Sequence, residues 1–127
     1  MKSVLVSNDK YEIEVDVSKN RIYFKIIGFW KNVNEVPNFI SDVEKAVNMV
    51  TPGFSIISDL RVAKPPAEET RKLHVKTSEI MVNNKINKIA EIVDSSILKM
   101  AVSRTTVKDL KRKSFLSLEE AEKWLDE

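Results

Sequence analysis

Gly53-Phe54-Ser55-Ile56-Ile57-Ser58-Asp59-Leu60 is a short apolar run with Pro52 in front of it and Pro65-Pro66 behind. A run of this length, rich in Phe and Ile, closed by backbone breakers and set between two helical patterns, reads as a β-strand covered on both faces. Such a strand belongs in the middle of a sheet.

Upstream of it, Tyr11, Ile13, Val15 and Val17 alternate with Glu12, Glu14 and Asp16, the period-2 pattern of a strand with one wet face near a sheet edge. Ser18-Lys19-Asn20 is a polar turn. The strand that follows carries Ile22, Phe24 and Ile26 on one side and Tyr23, Lys25 and Ile27 on the other, so it lies deeper in the sheet and completes an antiparallel hairpin. Gly28-Phe29-Trp30 closes the hairpin. Asn34 can then cap a helix whose stripe is Val36, Phe39, Ile40, Val43, Val47 and Val50, with Glu35 and Pro37 tolerated in the first turn. Thr51-Pro52-Gly53 stops that helix.

Downstream, a second helix starts at Pro65-Pro66 with Glu68 and Glu69 at its positive end. Leu73, Thr77, Ile80 and Met81 share one side of it, while Val75 and Val82 sit nearly opposite. A second apolar stripe either packs under a neighbouring segment or serves self-association, and Val75 and Val82 are the interface residues of such a homodimer. Ile89-Ala90-Glu91-Ile92-Val93 is a further strand, parallel to the central one because a crossover helix joins them. Asp94-Ser95-Ser96 supplies caps for a third helix over residues 97 to about 110. Lys113-Ser114-Phe115-Leu116 reads as a final strand. Ser117-Leu118-Glu119-Glu120 is a capping box, with Leu116 placed to staple against Ala121 and Leu118, Ala121, Trp124 and Leu125 on the buried side. The expected fold is α/β, a single domain over 1–127: a mixed sheet of about five strands, an antiparallel hairpin followed by parallel strands, with about four helices.

The bulk properties narrow the function. A chain of 127 residues, 43% hydrophobic and 31% charged, with two glycines and four prolines, forms one core without long disordered segments. The absence of cysteine excludes disulfides, thiolate nucleophiles and Cys-based metal sites and fits a cytoplasmic location. No window approaches a membrane span, and the N-terminal apolar run is too short for a signal peptide. The net charge of +2 is far from the concentrated positive field of nucleic-acid binders. Lys99, Arg104, Lys108, Lys111, Arg112 and Lys113 do cluster, but no aromatic is interleaved to stack bases, so nucleic acid is not an expected partner.

Three fragments, in this order and spacing, carry a resemblance that spans most of the chain from Tyr11 onward. They are Gly53-Phe54-Ser55-Ile56-Ile57-Ser58-Asp59-Leu60-Arg61, Lys88-Ile89-Ala90-Glu91-Ile92-Val93, and Phe115-Leu116-Ser117-Leu118-Glu119-Glu120-Ala121-Glu122-Lys123-Trp124-Leu125. Together they resemble the SpoIIAA-like branch of the STAS superfamily, the anti-sigma-factor-antagonist fold. The resemblance implies a small cytosolic module of regulation or binding, whose relatives bind a kinase-like partner and are switched by phosphorylation of a serine at the start of the helix after the central strand. Here that Asp-Ser-Ser-Gly motif is missing. The stretch reads Lys64-Pro65-Pro66-Ala67-Glu68-Glu69-Thr70, so Thr70 is the only hydroxyl left and the phosphorylation switch is not expected.

No catalytic constellation stands out. The single histidine, His74, has no ligand set around it, and there is no Gly-rich phosphate loop, nucleophile elbow or His-Glu-x-x-His pattern. Catalytic residues, metals and cofactors are therefore expected to be none. If a ligand site exists, topology places it outside the carboxyl ends of the parallel strands, where Asp59, Arg61, Ser95 and Ser96 lie and which Arg104 could reach. The expected function is a non-enzymatic regulatory or protein-interaction module with a protein partner. The alternative is a carrier of a small apolar or anionic ligand in a SEC14-like pocket.

Overall fold

Ser55–Asp59 forms the strand β4, inside a six-stranded sheet of order β1-β2-β3-β4-β5-β6. The computed structural model describes residues 2–64, 67–94 and 111–127. Beside β4 run β3 (Arg21–Ile26) and β5 (Lys88–Ile92), both parallel to it, with Ile56 facing Ile22 on one side and Ile89 on the other. Ile56 and Ile57 point to opposite faces and both are buried, so the strand is covered above and below, as its sequence predicts. β6 (Arg112–Phe115) extends the parallel set, while β2 (Tyr11–Asp16) and β1 (Ser3–Ser7) pair antiparallel on the other flank.

Helices α1 (Phe39–Val47) and α2 (Glu68–Asn83) cover one face. Phe39, Val43, Ala46, Val47 and Met81 meet Ile13, Val15, Ile22, Phe24 and Ile56 there in the main core. The two crossovers that carry α1 and α2 return on the same face, as same-handed parallel connections require. Helix α3 (Leu118–Leu125) lies on the other face, where Ala121 and Leu125 pack on Tyr23, Ile57, Ala90 and Ile92. It covers β4 and β5.

Several finer expectations need correction. The sheet's six strands are close to the five or so expected. The added one is β1, so the strand at Tyr11 is second from the edge. The first long helix starts at Phe39, not near Asn34. Asn32 caps a short 3₁₀ turn over Val33–Glu35, and Val36 leaves helical geometry at φ −134°, because a residue before proline is crowded out of the α region. Leu116 is 72% exposed and makes no staple; Phe115 packs on Trp124 instead, ring centroids 5.6 Å apart. The helix expected over 97–110 lies outside the described residues, as do Pro65 and Pro66.

Of the expected capping box the serine half forms: Ser117 Oγ accepts from the Glu120 N–H at 3.2 Å and donates its own proton to Glu120 Oε1 at 3.1 Å. Ser117→Ala should therefore lower stability by about 1 kcal/mol in urea denaturation. A change indistinguishable from zero would mean that α3 starts without help from its cap.

Candidate interaction site at the carboxyl ends of the strands

Gly28 organises this end of the sheet. Its positive φ of 68°, a region that L side chains rarely adopt, turns the chain after β3 so that its N–H donates to Val62 O (2.9 Å) and its carbonyl accepts from Lys64 N (3.0 Å). The loops that follow β3 and β4 are thus tied together. Trp30 turns inward, donating from Nε1 to Lys10 O at 3.1 Å and packing on Phe39, Tyr11 and His74. Phe29 turns outward and is 45% exposed, and Val62, on the loop tied to Gly28, is 51% exposed. Leu116, after β6, presents a third apolar side chain at the same end.

The structure brings Asp59 and Arg61 together and pairs them with each other. Arg61 Nε donates to Asp59 Oδ1 at 3.0 Å, Nη2 to Oδ2 at 2.8 Å, and the Arg61 backbone N–H to Oδ1 at 3.1 Å. Burial alone pulls the Asp59 carboxyl upward; the Arg61 hydrogen bonds more than reverse this and hold it below the usual carboxylate range. Ser95, Ser96 and Arg104 lie outside the described residues. Val75 on α2 is half-buried and Val82 is exposed, so only the latter offers an open surface there.

Thr70, the hydroxyl that the sequence leaves near the start of α2, is the third residue of that helix and is fully buried. Its Oγ1 lies 3.0 Å from Trp30 O and 3.1 Å from Ala67 O, so the hydroxyl is committed to the backbone. Thr70→Val should cost roughly 1 kcal/mol by leaving those carbonyls short of a donor, measured by thermal or urea unfolding. The folded protein should also take no phosphate at this position.

A shallow groove of about 110 Å³ opens on the α3 face, lined by Glu12, Glu14, Tyr23, Lys25, Asp59 and Leu118 among others. Its volume is about a third of the 300 Å³ at the lower end for ligand sites, and Lys2, Glu12, Glu14, Lys25 and Asp59 set charges among its apolar walls. It gives the carrier reading little support.

Two features escaped the sequence reading. Arg21 is 3% exposed and joins β3 to α3: its Nε donates to Ser55 Oγ (3.0 Å), Nη1 to Glu122 Oε1 (2.5 Å) and Nη2 to Asp126 Oδ1 (2.9 Å), while Tyr23 donates to the same Glu122 oxygen at 3.0 Å. The available signal was Glu122 and Asp126 one helical turn apart on a common face. Glu91 is 4% exposed on β5, with Arg112 Nε 3.1 Å away; burial outweighs that cation and pushes the acid up to about 7. No group of acids and histidines that could hold a metal occurs among the described residues.

No family model matches the chain, and no curated protein matches it by sequence. Among solved structures, one from Shewanella loihica PV-4 superposes with a TM-score of 0.58 at 15% identity, over 98% of this chain and 92% of that one. It is described as an uncharacterised protein from the DUF3478 family with a SpoIIAA-like fold. The fold is SpoIIAA-like. This agrees with the resemblance carried by the three sequence fragments, and at this identity the likeness extends to architecture alone. No helix among the described residues is long and apolar enough to cross a membrane.

Proposed function

We propose that the protein is a cytoplasmic, non-enzymatic interaction module that docks a protein partner on the carboxyl-end rim of its parallel strands, without a phosphorylation switch at Thr70. The observation that carries this reading is that the two loops tied together at Gly28 each present a solvent-facing apolar side chain, Phe29 and Val62, at the end of the sheet where Asp59 and Arg61 satisfy each other. Exposed apolar side chains at the same end of a sheet as a self-satisfied charge pair suit a protein surface better than a reaction centre, where polar groups are held ready for a substrate.

A photo-crosslinking amino acid placed at Phe29 or Val62 in the source cells tests it. The expected result is a discrete protein adduct from both positions and none from Lys45 on the far side of α1. Equal labelling from Lys45 removes the rim from consideration. Native mass spectrometry of protein purified from its source should give the bare chain mass; a retained small molecule would replace this reading with the carrier one.

A further inference from the structure

Strand β1 ends the sheet, and among the described residues no strand lies on its outer side. The two edges are built differently. β6 carries Arg112 and Lys113 within its four residues, with Lys111 just before, the charges that discourage edge-to-edge pairing. β1 reads Ser3-Val4-Leu5-Val6-Ser7, with no charge and no proline, and Val4 is 65% exposed.

Its side chains also follow a self-complementary order. Ser3 and Val6 stand opposite Val15 and Ile13 and share the α1 face, while Val4 and Ser7 stand opposite Glu14 and Glu12 and share the α3 face. Leu5, at the bulge between Val4 and Val6, packs toward the α1-side core. Two copies of this strand laid antiparallel match faces in one register: Val4 opposite Ser7, and Leu5 opposite Val6. At its ends the same register brings Lys2 of each copy toward the β1–β2 turn of the other, which carries Asp9, so opposite charges approach twice across the two-fold. Centring the pair on Leu5 instead sets Val4 against Val6 on opposite faces. The bulge therefore selects the register.

We propose that β1 is a self-association edge, through which two copies of this chain join their sheets antiparallel about a two-fold axis at Leu5 and Val6. This goes beyond the rim reading and uses a different surface. A single strand pair buries less than the roughly 800 Å² per partner of a stable dimer, so the association is concentration-dependent.

The experiment combines three measurements on the full chain. Sedimentation velocity from about 1 μM to 1 mM, a range that spans weak dimers, should show monomer giving way to dimer. Hydrogen exchange should show amides of residues 3–7 gaining protection as dimer accumulates. Val4→Cys/Ser7→Cys, in a chain without native cysteine, should form an interchain disulfide under mild oxidation. Its yield should be roughly tenfold above that of Val17→Cys, since pairing raises the local thiol concentration toward millimolar. Both positions are solvent-facing, so folding is preserved. Positions 4 and 7 are about 10 Å apart along one strand, beyond the span of a disulfide within one chain. A monomer throughout overturns the proposal. So does a dimer whose β1 amides remain unprotected, or one that crosslinks as well through Val82→Cys, which assigns association to α2. Phe29→Ser and Val62→Ser should leave the dimer intact, which separates this outcome from failure of the rim.

Discussion

Arg21→Ala should lower unfolding free energy by roughly 3 kcal/mol, the low end for truncating one partner of a buried ion pair. The guanidinium is 3% exposed and is the joint between β3 and α3, touching Ser55, Glu122 and Asp126 at once. Its removal leaves the buried Ser55 hydroxyl without this donor, and Glu122 with Tyr23 and the more distant Lys19 as its remaining contacts. Glu122 is partly open to water, which keeps the cost away from the upper end. Asp126→Ala, at the exposed arm of the same network, should cost far less, since solvent screens that pair. Urea denaturation monitored at Trp124 on α3 checks both. A loss for Arg21→Ala no larger than that for Asp126→Ala would show that α3 is held by Ala121 and Leu125 alone.

The second large effect is a pH dependence that two substitutions should unmask. Glu91 titrates at about 7 in the folded chain against 4.5 in the unfolded one, because burial penalises its charge more than Arg112 relieves it. Between those values the folded state holds a proton that the unfolded state has released, so raising the pH favours unfolding. His74 works in the opposite sense. Burial beneath Trp30 and Phe39 lowers it from 6.5 to about 4, so below pH 6.5 the unfolded chain takes up a proton that the folded chain refuses, and lowering the pH favours unfolding. Each contribution approaches about 3 kcal/mol at full effect, and over pH 4.5–6.5 they oppose each other. The wild-type profile there should be nearly flat.

Glu91→Gln removes one side of this balance, so stability should climb with pH across 4–6.5, and at pH 8 the variant should be more stable than the parent. His74→Phe, which keeps a ring against Trp30, should show stability falling as the pH rises from 4.5 to 7. Chemical denaturation at half-unit steps of pH measures all three proteins. Parallel profiles for the two variants would sink the assignment of these groups.

The parts of the fold that were legible in the sequence are those whose own composition sets their environment. Residues 54–60 are apolar on both sides of the strand, so burial on both faces follows without knowledge of the neighbours. The Ser117 cap is equally local. β1 was missed because Val4, Leu5 and Val6 show no alternation: the bulge places successive residues on one face, and an edge strand is defined by its pairing rather than its period. The start of α1 was misjudged because Pro37 acts on Val36 as well as on its own position. At the site, Asp59 and Arg61 are two residues apart and their pairing was readable. The Arg21–Glu122 contact spans a separation of 101 residues, and no local pattern reports which acid a cation will meet once the sheet has formed.

Helix α3 carries one further consequence, for biosynthesis. Tyr23, Ile57, Ala90 and Ile92 have Ala121 and Leu125 as their cover on that face, and the Arg21 guanidinium waits on the same segment for its carboxylates. A nascent chain on the ribosome can close the α1 and α2 side while this apolar strip is still wet. Until α3 clears the exit tunnel, that strip is where a holding chaperone would bind.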